Sequence, residues 1–334
     1  MSYVLKPGEP VGDEIRRCAA ERLDRAASTL EQDLASDPEK AIHTARKSLK
    51  QMRSLLRLAR GPLPAGVRRA ENRALAELGR ALSGARDADV MVATFDRLAV
   101  QRPVIPARSR TALRRALTAA SASADAGTAG VVSPELSAAR VAEALRVIES
   151  RVQEWPLTSG GWSALAPGLD HAYGRGRSAL RAARSDPSLE ALHRWRKRVK
   201  DHWYHLRLLS EVGGPAVAGQ AQDASELADL LGEEHDLGVL EEKLHAGAPA
   251  TAARERLLER SDARRRELRA RAFALGGRVY AEKPAAQRRR LRRAWRAGRA
   301  LARIDAAPAA GAAPAAGAAP TPGASPTAGA APLG

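Results

Sequence analysis

The chain has 334 residues with 55 Lys and Arg against 38 Asp and Glu, giving a formal net charge of +17 and a pI near 11.0. Such an excess implies a polyanionic partner, whether nucleic acid, an anionic membrane surface or a phosphate polymer. Aromatic residues make up only 3%, and the 44% hydrophobic share is dominated by Ala and Leu, which argues against a sheet-rich core and predicts an all-α fold. Cys18 is the only cysteine, so no intramolecular disulfide forms and nothing points to an oxidising compartment. No signal peptide and no apolar run of about 18 residues is present, and the expectation is a soluble cytoplasmic protein.

In chain order, residues 1–10 read as an N-terminal extension, and Asp13 is predicted to cap a helix from about Glu14 to Leu34. A strongly basic helix follows, opened by Asp37-Pro38 and closed by Gly61-Pro62. A third helix runs from about Ala65 to Leu82. Beyond a turn at Ser83-Gly84 another begins at Asp87 or Ala88. Pro103 and Pro106 mark a loop, a short helix covers about Arg108 to Ala120, residues 121–133 form a mobile connection, and Pro134 to Trp155 is helical. The second half restates the first. Trp162 to Arg184 reads as a helix weakened by Gly168, Gly174 and Gly176; a second basic helix opens at Asp186-Pro187 and ends near Gly213-Gly214-Pro215. A helix from about Ala216 to Leu231 precedes a turn in LGEEHDLGVL, and helices near Arg254 to Ala274 and Ala285 to Ile304 close the folded part. From Ala306 the uncharged Ala/Pro/Gly tail is expected to be disordered.

The basic helix is the organising element because it occurs twice. Ala41 to Leu58, AIHTARKSLKQMRSLLRL, and Ala191 to Leu208, ALHRWRKRVKDHWYHLRL, share eight of eighteen positions at a shift of 150 residues. Turning about 100° per residue from His43, the residues Arg46, Lys47, Lys50, Arg53 and Arg57 fall within a sector roughly 120° wide, with Ile42, Ala45, Leu49, Met52 and Leu56 opposite. The second copy places His193, Arg196, Lys197, Lys200 and Arg207 together, with Leu192, Trp195, Val199 and Leu206 behind. Like charges at this spacing repel across about 5–6 Å, so an acidic ligand is expected opposite. A second landmark repeats too: Leu82, Asp87 and Val90 match Leu231, Asp236 and Val239 at a shift of 149.

The paired HxxRKxxK helices and their RDADV and HDLGVL partners resemble the CHAD family, the conserved histidine α-helical domains. The resemblance covers about residues 10–305. It implies one all-helical CHAD domain over 11–305, built of two four-helix bundles related by a pseudo-twofold axis (about 11–155 and 160–305), with the basic helices lining a central cavity. It further implies binding of inorganic polyphosphate and, in some members, association with polyphosphate granules. Carried onto this chain, the implied binding residues are His43, Arg46, Lys47, Lys50 and Arg53 in one half and His193, Arg196, Lys197 and Lys200 in the other. Arg57 and Arg207 match each other and extend the stripes, whereas Trp203 stands where the first copy has Arg53. Many members carry a fused triphosphate-tunnel domain with an ExExK signature; no such motif occurs here.

The residues agree with that implication on their own terms. A phosphate polymer presents charge at every unit and no bases to stack, so its site needs rows of Lys and Arg rather than aromatic platforms. Metal ligation through the two motif histidines lacks carboxylate company, and an imidazole among cations is held neutral. Asp87 and Asp236 read as helix caps or orienters of a motif Arg, and Cys18 as a buried inert thiol. No Walker loop, dinucleotide fingerprint or Ser/His/Asp constellation is present, so a non-enzymatic protein without cofactor is expected. The alternative is a nucleic-acid-binding or granule-surface protein using the Arg clusters near 264–271 and 288–296.

Overall fold

The computed structural model describes residues 3–82, 86–100, 105–126, 134–158 and 160–306. Among these the chain is all-α, ten helices without a strand. They are α1 (Val11–Gln32), α2 (Pro38–Leu58), α3 (Ala65–Ala81), α4 (Arg86–Ala99), α5 (Ala107–Ala126), α6 (Pro134–Val152), α7 (Gly161–Ser185), α8 (Leu189–Gly247), α9 (Ala252–Val279) and α10 (Pro284–Ala306). The connection expected at 121–133 is corrected in its first part, since α5 continues to Ala126; its residues 127–133, the expected turn at Ser83-Gly84, the loop at Pro103 and the tail from 307 lie outside the described residues.

Two apolar cores hold the helices. The first gathers α1, α2, α3 and α6 around Ile15, Leu23, Met52, Leu55 and Leu145, and adds Leu165 and Leu169 of α7, the middle of α8, and Leu291 and Trp295 of α10. The second gathers α9, the later turns of α7 and both ends of α8 around Trp195, Leu227, Leu240 and Leu268. It also takes Met91, Phe95 and Leu98 of α4 and Leu113 and Leu117 of α5. Packing thus crosses the line drawn between residues 155 and 160: the α4–α5 hairpin lies on the later core, and α10 reaches the earlier one. Each fully buried Leu or Met contributes about 1.5–3 kcal/mol, so the exchange ties the halves together. The N-terminal extension is part of the first core, with Tyr3 and Leu5 buried, the Tyr3 hydroxyl donating to the Gln51 carbonyl at 2.8 Å and the Leu5 amide to that of Leu208 at 2.8 Å.

Several local expectations are corrected. Pro10, not Asp13, is the N-cap of α1, and Asp13 lies in its first turn, where a carboxylate still favours the helix. Asp37 does cap α2, accepting from the Lys40 amide at 3.0 Å with Pro38 behind it. Its counterpart Asp186 instead ends α7, and Ser188 caps α8, accepting from the Ala191 amide at 3.4 Å while its hydroxyl donates to Asp186. The helix α7 is unbroken at its glycines. A Cβ on Gly168 would come within 2.2 Å of the Leu58 carbonyl oxygen, so its bare backbone lets α7 press against the end of α2. The break at Gly213-Gly214-Pro215 is real: Gly214 has φ 67°, a conformation that suits glycine, and α8 bends there into two arms. The turn in LGEEHDLGVL is not found, because that segment lies inside the second arm.

Candidate functional site

The cleft between α2 and the first arm of α8 is where the two basic faces meet. The helices cross where the His205 Nε2–H donates to the Ser54 carbonyl at 3.0 Å, and Ser54 and residue 204 are equivalent under the 150-residue shift. On one side of this crossing opens a cleft of about 420 Å³. Its lining includes Lys50, Arg53 and Arg57 from α2, facing His193, Arg196, Lys197 and Lys200 from α8, together with Arg198, Asp201 and Tyr204. Seven of the eleven residues singled out in the sequence therefore line one space. The remainder are placed as follows: Lys47 is exposed near enough to Lys200 to depress its pKa, His43 is exposed on the same face, Arg46 turns back toward α3, and Arg207 lies beyond the crossing beside Tyr3 and Tyr204.

Burial and crowding of like charge set the electrostatics. Burial, then Arg57, lowers the pKa of Arg53; burial, then Arg175, lowers that of Arg198; burial, then Arg196, lowers that of Lys200. These cations remain charged at neutral pH but are held at a cost, which a bound anion would relieve. Among the described residues lining the cleft the one carboxylate, Asp201, is bridged by Arg57 at 3.1 Å and Arg198 at 3.3 Å. Lys200 also lies over the Trp203 ring, 5.4 Å from its centroid. The aromatic residue that replaces Arg53 in the second copy thus holds the neighbouring ammonium in place.

The segments that follow each basic helix position it. Arg46 reaches the Leu82 carbonyl at 3.5 Å, and Arg196 packs against Gly232, one residue beyond the Leu82-equivalent Leu231. His193 stacks on His235, with centroids 4.1 Å apart, and burial, then His235, pushes its pKa down to about 4. It is therefore neutral at pH 7, as its cationic surroundings implied. Asp236 is not at a helix start but inside the second arm of α8, half-buried near Arg196, His235 and Arg97, with burial raising its pKa. The Asp87 side chain lies outside the described residues. Among the described residues no group of three or more His, Cys, Asp or Glu is arranged to hold a metal. Cys18 is buried, its thiol pushed up to about 12 by burial, and among the described residues no helix is long and apolar enough to cross a membrane.

Some cleft residues carried no sequence signal. Arg198 stands where the first copy has Ser48 and lies off the repeated stripe, so neither repetition nor periodicity marks it. Arg60, Arg68 and Arg175 come from three helix ends or faces that meet only in space, in a smaller pocket that shares Arg57, Arg198 and Asp201 with the cleft. Only the density of arginine in the whole chain hinted at them.

Comparison with solved structures shows the same fold in PptA from Streptomyces chartreusis, 17% identical, with a TM-score of 0.53 over 82% of this chain and 100% of that one. No curated protein sequence matches. The family model for the CHAD domain matches residues 17–245, well over half of the 334 residues, and the chain belongs to the CHAD family.

Proposed function

We propose that this protein binds inorganic polyphosphate without chemically altering it, one chain lying in the cleft between α2 and the first arm of α8. The observation that carries this reading is the convergence of Lys50, Arg53 and Arg57 with Arg196, Lys197, Lys200 and Arg198 around one space whose lining carboxylate is already bridged by two arginines. A linear phosphate polymer supplies one negative charge per unit, accepts from guanidinium and ammonium donors, and needs no stacking platform. Association should release counterions and weaken steeply with salt. Family membership supports the same ligand class, and a polyphosphate granule in the cytoplasm is the location that would present such chains.

The test is binding of long-chain polyphosphate to Lys50→Glu with Lys197→Glu, both exposed on the cleft lining. Retained helical circular dichroism with binding weakened beyond about 100-fold supports the reading, since each charged hydrogen bond is worth about 1.5–3 kcal/mol. Undiminished binding at the same salt contradicts it. Release of orthophosphate from polyphosphate by the purified protein would overturn the non-enzymatic part.

A second reading, a general basic surface for nucleic acid or a granule coat, is favoured by one helix only. The arginines at 264–271 are neutralised within the protein: Arg264 pairs with Glu233 and Glu267, Arg265 with Glu234 and Glu241, and Arg269 with Glu234. On α10, by contrast, Arg289, Arg292, Arg293 and Arg296 are exposed and have no ion pair among the described residues. Competition separates the readings: polyphosphate displacing labelled DNA at far lower phosphate equivalents favours the cleft, and equal displacement favours α10.

A further inference from the structure

Beside the cleft lies a second cationic space made of arginine alone. Arg57 from the last turn of α2, Arg60 just beyond it, Arg68 from α3, Arg175 from α7 and Arg198 from α8 surround about 170 Å³, together with His171 and Asn72. That is below the roughly 300–1,000 Å³ of a site for a drug-sized ligand, and it suits a small anion. Asp201 is its only carboxylate among the described residues, already bridged by Arg57 and Arg198. Arg60, Arg68 and Arg175 have no ion pair among the described residues, and the buried Nε of Arg68 has no hydrogen-bond partner there. His171 adds no compensating negative charge, and burial, then Arg60 and Arg175, holds it toward its neutral form.

Two features distinguish this space from the cleft. The cleft mixes three lysines with its arginines, whereas the smaller pocket carries only guanidinium groups, whose planar forks bind phosphate oxygens bidentately. The pocket is also the smaller, about 170 Å³ against about 420 Å³. The two spaces adjoin at the Arg57–Asp201–Arg198 bridge, and Arg53 of the cleft donates to Asn72 of the pocket at 3.1 Å.

We infer that the Arg57–Arg60–Arg68–Arg175–Arg198 pocket holds the terminal phosphate of the polymer whose interior lies in the cleft. This rests on the polyphosphate reading and assigns a different part of the chain to a different part of the site. An internal phosphate carries one charge; a terminal one carries a second ionisation near neutral pH, as phosphate monoesters do. The group of highest charge belongs where cations are densest, and five guanidinium groups crowd about 170 Å³ here.

The experiment compares polyphosphate of one defined length with the same polymer whose two terminal phosphates are blocked as phosphoramidates, at equal molarity of chains and equal salt. The wild-type protein is expected to bind the free-ended polymer about tenfold or more tightly, the equivalent of one charged hydrogen bond. A variant with Arg68→Gln and Arg175→Gln is expected to bind both polymers equally, at the affinity wild type shows for the blocked one. Equal binding of the two polymers by wild type overturns the end pocket and leaves the cleft standing. No binding of either polymer overturns both. Since the decisive comparison uses the wild-type protein, a variant that folds poorly does not affect it.

Discussion

The two copies of the basic helix begin from the same residues and end in different surroundings. In α2 the motif residues His43, Lys47 and Lys50 are exposed, and the helix opens directly from a capped turn. In α8 the equivalents His193 and Lys200 are half-buried, held by His235 and Trp203, and three neutral histidines lie along the same arm. Arg57 is anchored in the cleft by Asp201, while its match Arg207 lies outside it. Repetition preserved the cationic face, and packing set its burial: His43 and Lys50 of α2 are exposed where His193 and Lys200 of α8 are half-buried.

The comparison breaks most sharply under charge reversal. Lys50→Glu and Lys197→Glu should each weaken polyphosphate binding more than tenfold, and together beyond about 100-fold, by fluorescence titration at fixed salt. If only one reversal mattered, the copies would not share a ligand.

Acid should discriminate next, because the most strongly depressed histidines sit on α8 and none of them on α2. Burial holds His202 at about 3 and His205 at about 4, and burial with His235 holds His193 at about 4, all below the free value of 6.5. Above pH 6.5 these groups are neutral in both folded and unfolded chains and contribute no pH dependence. As pH falls from 6.5 toward 4, the unfolded chain binds protons that the native one refuses, so stability falls by up to about 1.4 kcal/mol per pH unit for each histidine. His205→Gln, which keeps a donor for the Ser54 carbonyl, should flatten the denaturation slope by about one proton over that window. An unchanged slope would show that His205 is not held neutral.

Smaller effects sharpen the contrast. His193→Ala should lower stability by about 1 kcal/mol through loss of the ring stack, against less than about 0.5 kcal/mol for His43→Ala, as measured in urea. Trp203→Leu, by releasing Lys200, should weaken polyphosphate binding about two- to fivefold with little loss of helix.

How much of this was legible in the sequence follows from which physical rule each part obeys. The all-α class, the break at Gly214, the buried back of each basic helix and the cationic stripe on its front are consequences of local pattern, while the meeting of the two stripes was implied only by the family resemblance. Trp195 is fully buried and stacks on Phe273, as its position on the wheel implied. Tertiary close approach was not legible. Gly168 reads as a weak point in a helix until Leu58 is seen against it. Glu234 looks like part of a turn, but it is buried beneath Arg265 and Arg269, which keeps the second arm of α8 helical through that segment. The α4–α5 crossing and the arginines at 60, 68, 175 and 198 depend on contacts between distant segments that no periodicity encodes.

The most direct test of one chain gripped by both rods is the stoichiometry of long-chain polyphosphate binding by calorimetry, for wild type and for each single reversal. The account predicts one chain per protein, with either Lys50→Glu or Lys197→Glu weakening that same event. Two chains per protein, each lost only when its own helix is altered, would contradict it.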